Sequence, residues 1–247
     1  MKKILVYILI SFTVIGLWEY YGGTNTVVRL YISSPGLIIE YIANNHAELL
    51  RAVLTTFVQA STGLMLAILI SFAVMIICFI KPKLIDYVLP VMIISQVIPV
   101  IVLAPFFILV LGIGMSSKIA MAAVISFFPV FISFVQGYKA ISPNIHELML
   151  LYNAPLKFRI LRTYFPLAMP SFMAGMKVSA TLAVIGAIVA EFTGARYGIG
   201  KNLFVSAIRL DPDLMMSSLI LASLMGLTLY AIVISIERKY GTWYLNK

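Results

Sequence analysis

Apolar positions along this chain gather into six long runs, at about 4–21, 48–79, 84–111, 117–137, 168–191 and 213–236. A helix needs roughly 20 such residues to cross the hydrocarbon of a bilayer. The pattern therefore predicts an all-α integral membrane protein with six transmembrane helices. The second and third runs exceed one crossing, so those helices tilt or carry their ends out of the bilayer. Pro99 and Pro105 fall inside the third run. Each removes a backbone donor and predicts a kink, tolerated at membrane depth only against protein or a cavity. The whole of 1–247 reads as a single transmembrane domain, with a first span and an external interfacial segment over 1–47 and a core over 48–237.

Two polar interruptions carry structure of their own. In "SSPGLIIEYIANN" Ser34 caps a short helix with Pro35 in its first turn. Leu37, Ile38, Tyr41 and Ile42 then share one face, which suits a helix lying in the membrane interface. The second interruption is "HELMLLYNAPLKFRILRTYFPLAMP", residues 146–170. Ser142-Pro143 starts a helix there, and Asn144 with Glu147 resembles a capping box. Ile145, Leu148, Met149 and Tyr152 follow at i, i+3, i+4, i+7 and form an apolar face. Asn153 tolerates a left-handed cap, and Ala154-Pro155 opens a second short helix that runs to about 164. Pro166 and Pro170 end that helix and open the fifth span. The predicted object, 142–165, is two short helices at a sharp angle, apolar on one side and basic on the other (Lys157, Arg159, Arg162). It either lies on lipid headgroups or offers its stripe to a groove in another protein.

Composition strengthens the membrane assignment and adds an orientation. The chain is 62% hydrophobic and only 11% charged, far from the balance of a soluble domain. The single cysteine, Cys78, reads as a small apolar filler within a span. "MKKILVYILISFTVIGLWEYYGG" begins like a signal peptide but lacks a small-x-small cleavage site, so it reads as a first span anchored by Trp18, Tyr20 and Tyr21. The net charge of +9 points to cytoplasmic loops and lipid headgroups, not to nucleic acid. With the N-terminus inside, the inner segments hold Lys2, Lys3, Lys81, Lys83, Lys139, Lys157, Arg159, Arg162, Arg238, Lys239 and Lys247. The outer segments hold Arg29, Arg51, Lys118, Arg196, Lys201 and Arg209, and Lys177 stays within a span. The positive-inside rule then places both termini, and 142–165, in the cytoplasm of a multi-pass inner (plasma) membrane protein.

The interrupted segment also resembles a known signature. Permease subunits of binding-protein-dependent ATP-binding-cassette importers carry an "EAA" motif: Glu-Ala-Ala, three residues, Gly, nine residues, Ile-x-Leu-Pro. Glu147 and Pro166 stand at the matching separation, with Leu148 and Met149 for the alanines, Asn153 for the glycine, Thr163 for the isoleucine and Phe165 for the leucine. "PVIVLAPFFILVLGIGMSSKI", "FFPVFISFVQGYKAISP", "AGMKVSATLAVIGAIVAEFTGARYGIG" and "SSPGLIIEYI" are similar to the nitrate/sulfonate/taurine branch of that family. The resemblance implies a type I importer permease fold with a cytoplasmic coupling helix. It implies that Glu147, Leu148, Met149, Tyr152, Asn153, Ala154, Pro155 and Arg159 dock a separate ATPase. It implies two permease copies, two ATPases and an external solute-binding protein around this chain, with ATP and magnesium held by the ATPase and no cofactor here.

Candidate path residues come from the fifth span and the kinked third. Gly175, Ser179, Ala183 and Ala187 recur every four residues and lead to Glu191. Such a small-residue ridge either packs helices closely or lines a path at a two-fold interface. Glu191 and Lys177 are costly in lipid and face protein or water; at about 21 Å apart on one helix they do not meet. Gln96, Ser95 and Ser126 are polar positions in spans three and four. Two near-misses are set aside. "GARYGIGKN" lacks the spacing and the Ser or Thr of a phosphate-binding loop, and "HELML" has Leu150 where a zinc-binding helix needs histidine. His46 and His146 read as solvated loop residues, and no catalytic constellation stands out.

The function expected is thus a non-catalytic permease subunit of an ATP-driven importer. Its solute is a small organic or oxo-anion such as a sulfonate, taurine, nitrate or bicarbonate, or alternatively a thiamine precursor or riboflavin. An autonomous secondary transporter would show duplicated halves or several midplane charges, and neither is present. A scaffold without transport is the third reading.

Overall fold

The computed structural model describes the backbone of residues 2–24, 26–29 and 31–241, and the side chains of residues 9–241 except those of 11, 25–27 and 30. Lys2, Lys3 and Lys247, which contribute to the inner charge, lie outside the described side chains. The described elements are all helical: α1 Lys2–Thr24, α2 Thr26–Arg29, α3 Pro35–Asn44, α4 His46–Ile80, α5 Leu84–Ser95, α6 Val100–Leu111, α7 Met115–Lys139, α8 Pro143–Leu151, α9 Leu156–Phe158, a π-helical stretch Arg159–Tyr164, α10 Phe165–Phe192, α11 Ile199–Arg209 and α12 Pro212–Tyr240.

Among the described residues four helices are long and apolar enough to cross a membrane: α4, α7, the continuous run Leu156–Phe192 and α12. The third predicted span is a pair, α5 and α6, bent by 97° and counting as a fifth crossing if taken together. Its break falls at 96–99, where Pro99 caps α6 and has no donor to continue α5. The expected kink is thus a full change of direction. The 23 residues of α1 cover the first predicted run. The 35 residues of α4 reach about 50 Å, well beyond a hydrocarbon core of about 30 Å.

The core is the packing of α7 between α4 and α10. Lipid is as apolar as leucine, so helices associate in it through close fit rather than water exclusion. Two devices supply that fit. The first is an aromatic layer: Phe72 and Phe79 of α4, Phe134 and Tyr138 of α7, and Tyr164, Phe165 and Phe172 meet with ring centroids 5.0 to 5.9 Å apart. The second is the small-residue ridge. A Cβ on Gly175 would lie 2.5 Å from the Pro129 carbonyl oxygen, so only glycine lets α10 approach α7 there. Ser126 and Ser179 exchange hydroxyl bonds to each other's carbonyls, at 3.2 and 2.7 Å.

Two expectations need correction. The second helix after the turn does not end at Pro166. It continues through one π-helical stretch into α10, with Phe165 N–H bonded to the Ile160 carbonyl. The wider turn moves backbone carbonyls away from the Pro166 ring, which in a regular α-helix would strike the carbonyl four residues back. The α3 face is also not free in the interface. Ile38 is buried, with Tyr41 and Ile42 half-buried, and α3 packs on α12 and α1. Trp18 donates to the Ser33 carbonyl at 2.9 Å, Glu19 accepts from Gly36 N–H at 2.8 Å, and Ser33 donates to Asp213. Ser34 caps α3 as expected, accepting from Leu37 N–H. Lys177 faces protein, as expected of a charge within a span, and pairs with Glu237 of α12 at 2.6 Å.

Candidate functional site

The hairpin at one end of the bundle is built on a defined stop. α8 closes with Asn153 left-handed at φ 47. Ala154 N–H bonds to the Met149 carbonyl and Asn153 N–H to the Leu150 carbonyl, at 3.0 and 2.9 Å. These are the two bonds of a Schellman stop, with asparagine in glycine's place. Pro155 is extended, and Leu156 starts the next helix. The helix start differs from expectation: Ser142 is the N-cap of α8 and makes no side-chain bond, so Asn144 and Glu147 form no capping box. Pro143 already occupies the first helical turn and supplies the preset φ.

The apolar face divides. Ile145 packs against the core and Met149 is half-buried, with Thr163 donating to its sulfur at 3.5 Å. Leu148, Leu151 and Tyr152 point away, Leu151 80% and Tyr152 77% exposed. Glu147, Asn153 and Pro155 are exposed beside them, and Ala154 is half-buried. The structure thus brings seven of the eight proposed docking residues around one tip. Arg159 departs from that set. Its Nε and Nη2 both donate to the Tyr164 hydroxyl at 3.3 Å.

Tyr164, 1% exposed, is the residue that sequence reading missed. Its oxygen accepts from Arg159 and shares a hydrogen bond with His146 Nδ1, 3.1 Å away. The His146 ring meets Tyr138 edge-on and lies tilted against Tyr164, with centroids at 5.5 and 4.8 Å. Burial first, and the Arg159 charge second, push the His146 pKa down. His146 is thus an anchor of α8 rather than a solvated loop residue, and His46 is an exposed residue at the start of α4. The signal that was available is a histidine 18 residues before a tyrosine at the start of the fifth span, but only folding brings them together.

The path candidates separate. Ser179, Ala183, Ala187 and Glu191 are all buried within this chain, none more than 1% exposed. Gln96 and Ser95 lie exposed at the α5–α6 bend. There they line a cavity of ≈ 360 Å³ with Phe106, Phe107 and Phe127. Glu191 accepts from Thr56 Oγ1 at 2.8 Å and from Gly200 N–H at 2.7 Å. Thr56 Oγ1 in turn accepts from Ile199 N–H at 2.9 Å. One carboxylate therefore stitches α10 to α4 and to the start of α11. Lys118, expected in an outer loop, is buried in the first turn of α7 and donates to the Gly194 carbonyl at 3.2 Å. Among the described residues no group of three or more His, Cys, Asp or Glu side chains is placed to hold a metal.

Comparison with known proteins agrees with this architecture. Residues 79–240 match the family of binding-protein-dependent transport system inner membrane components. A protein of Haemophilus influenzae named as an ABC transporter permease is 29% identical over 92% of this chain and 93% of its own length. The formylaminopyrimidine transport permease ThiX of Halalkalibacterium halodurans is 30% identical over 76% of this chain and 75% of its own. SsuC of Bacillus subtilis, whose name assigns it to aliphatic sulfonate transport, is 24% identical over 96% and 86%.

Proposed function

Because this chain belongs to the family of binding-protein-dependent transport system inner membrane components, we propose that it is the membrane-spanning subunit through which an ATP-driven importer carries a small solute. Membership makes it a multi-pass inner membrane permease whose relatives work with an ATPase and a solute-binding protein. Hydrolysis belongs, on this reading, to the separate ATPase. The observation that carries the proposal is the α8 tip. It presents Leu148, Leu151 and Tyr152 on a base held by Tyr164, within the matched region. An exposed apolar stripe on a rigid hairpin is suited to a groove in another protein. The hairpin end faces the cytoplasm and both termini lie inside, in keeping with the excess of Lys and Arg in those segments.

A second copy of the chain completes the path in this proposal. The α5–α6 pair supports it: Val97, Ile101, Val102 and Leu109 are 60 to 85% exposed and need lipid or protein cover. The solute is read as a small organic or oxo-anion, supported by the likeness to SsuC over nearly the whole chain. A thiamine precursor is the second reading, supported by the likeness to ThiX.

The test is uptake into proteoliposomes holding this chain, its ATPase and its binding protein. Uptake that requires ATP and the binding protein is expected. Gradient-driven uptake by this chain alone would make it an autonomous transporter instead.

A further inference from the structure

The end of the bundle opposite the hairpin holds a pocket that the docking reading leaves unused. It encloses ≈ 320 Å³ between the start of α4, the start of α7 and the turn after α10. Arg51, Gln59, Lys118, Arg196 and Tyr197 line it, with Gly114 at the N-cap of α7. Three of these are cations, and no carboxylate is among the lining residues. Glu191, the acid that acts on Lys118, is already engaged by Thr56 and Gly200. Lys118 itself is held by the Gly194 carbonyl and, at 3.4 Å, by Ser117 Oγ. Arg51 and Arg196 therefore supply the uncompensated positive charge. The Arg51 guanidinium lies 3.6 Å from the Tyr197 ring centroid. That stacking fixes its plane and leaves its in-plane N–H groups available.

Gln59 gives an independent indication. It is 3% exposed, and its Oε1 has no hydrogen-bond partner. A buried carbonyl oxygen without a partner is costly, and a ligand that donates to it removes the cost. The cations ask for an anionic group, and Gln59 asks for a donor.

We propose that this pocket binds a small organic anion, a sulfonate or carboxylate, that also carries an amine or hydroxyl. The anionic group sits between Arg51 and Arg196, and the donor meets Gln59 Oε1. The assignment deepens the reading of the chain as a solute permease, and rests on it only for the transport that binding would lead to.

The test uses the full chain in phosphatidylcholine nanodiscs, with 2-aminoethanesulfonate as the probe and ethanesulfonate as its donor-free counterpart. Saturable binding is expected, with 2-aminoethanesulfonate preferred by about fivefold or more. Arg196→Gln, at an exposed position, weakens binding about tenfold. Gln59→Leu brings the preference for the amine close to one while leaving the thermal midpoint in place. Absence of saturable binding by the intact chain, or binding indifferent to Arg196→Gln, overturns the proposal. So does loss of probe binding when phosphatidylethanolamine is added, because the site would then belong to a lipid headgroup. ATPase co-purification, measured on the same samples, reports on the permease reading separately, since that contact is at the other end of the bundle.

Discussion

Single residues settle the two ends of this molecule. At the hairpin, His146 is packed against Tyr138 and Tyr164 beside Arg159, a setting that favours its uncharged ring. Burial and Arg159 lower its pKa in the folded chain, so below the ordinary histidine value of about 6.5 the unfolded state binds more protons than the folded one. The stability that His146 lends is therefore complete above that value and declines as pH falls through it toward the lowered one. Amide exchange across 143–158 should speed up between pH 7.5 and 5.5, beyond the intrinsic change. His146→Phe, which keeps an aromatic ring against Tyr138 and Tyr164, should flatten that dependence. At the opposite end Gly198 has φ 139, and a side-chain carbon there would run into the Glu191 carboxylate. Gly198→Ala should destabilise by at least about 1–3 kcal/mol from the backbone alone, read as a lower thermal midpoint in detergent. Residue-level chemistry was partly legible in the sequence. Ser34 as a cap and Asn153 as a left-handed stop follow from local rules. His146, Tyr164 and Lys118 did not, because their partners are brought in by packing between helices.

At the scale of elements, the strongest departure is the continuity from Leu156 to Phe192. Proline reads as a terminator because a regular helix cannot absorb its ring. A single π-helical stretch absorbs it, and no local pattern marks where one will form. The consequence is mechanical: the hairpin's second arm and a membrane span are one rod. The Lys177–Glu237 pair joins that rod to α12. Lys177 retains some exposure, so the loss from Lys177→Met should be about 1–3 kcal/mol, below that of a fully buried pair. Lys177→Met with Glu237→Leu together should recover much of it, since removing both partners leaves no charge to bury unpaired. Chemical denaturation of the three variants in micelles measures this. The six apolar runs foretold the helices well, yet not the 97° turn between α5 and α6. Pro99 announced a break, while its angle depends on tertiary contacts.

Across the whole molecule, one rod links the turn below the exposed α8 tip to the span whose far end Glu191 fastens to α4 and α11. On the proposed docking, a push on α8 would reach α10 through the turn at Asn153 and the Tyr164 anchor, and the α4–α7 packing through α10. The resemblance seen in the sequence located the tip, because its signature is a matter of spacing along the chain. It did not reveal the pocket at the other end, where residues from 51 to 197 converge only in three dimensions. The central claim, that the α8 tip docks an ATPase, is tested most directly by co-purification of the ATPase with Glu147→Arg. Glu147 is exposed, so the variant should reach the membrane in normal amount. The account predicts that it retains little or no ATPase and supports no ATP-driven uptake. ATPase retained undiminished by Glu147→Arg would contradict it.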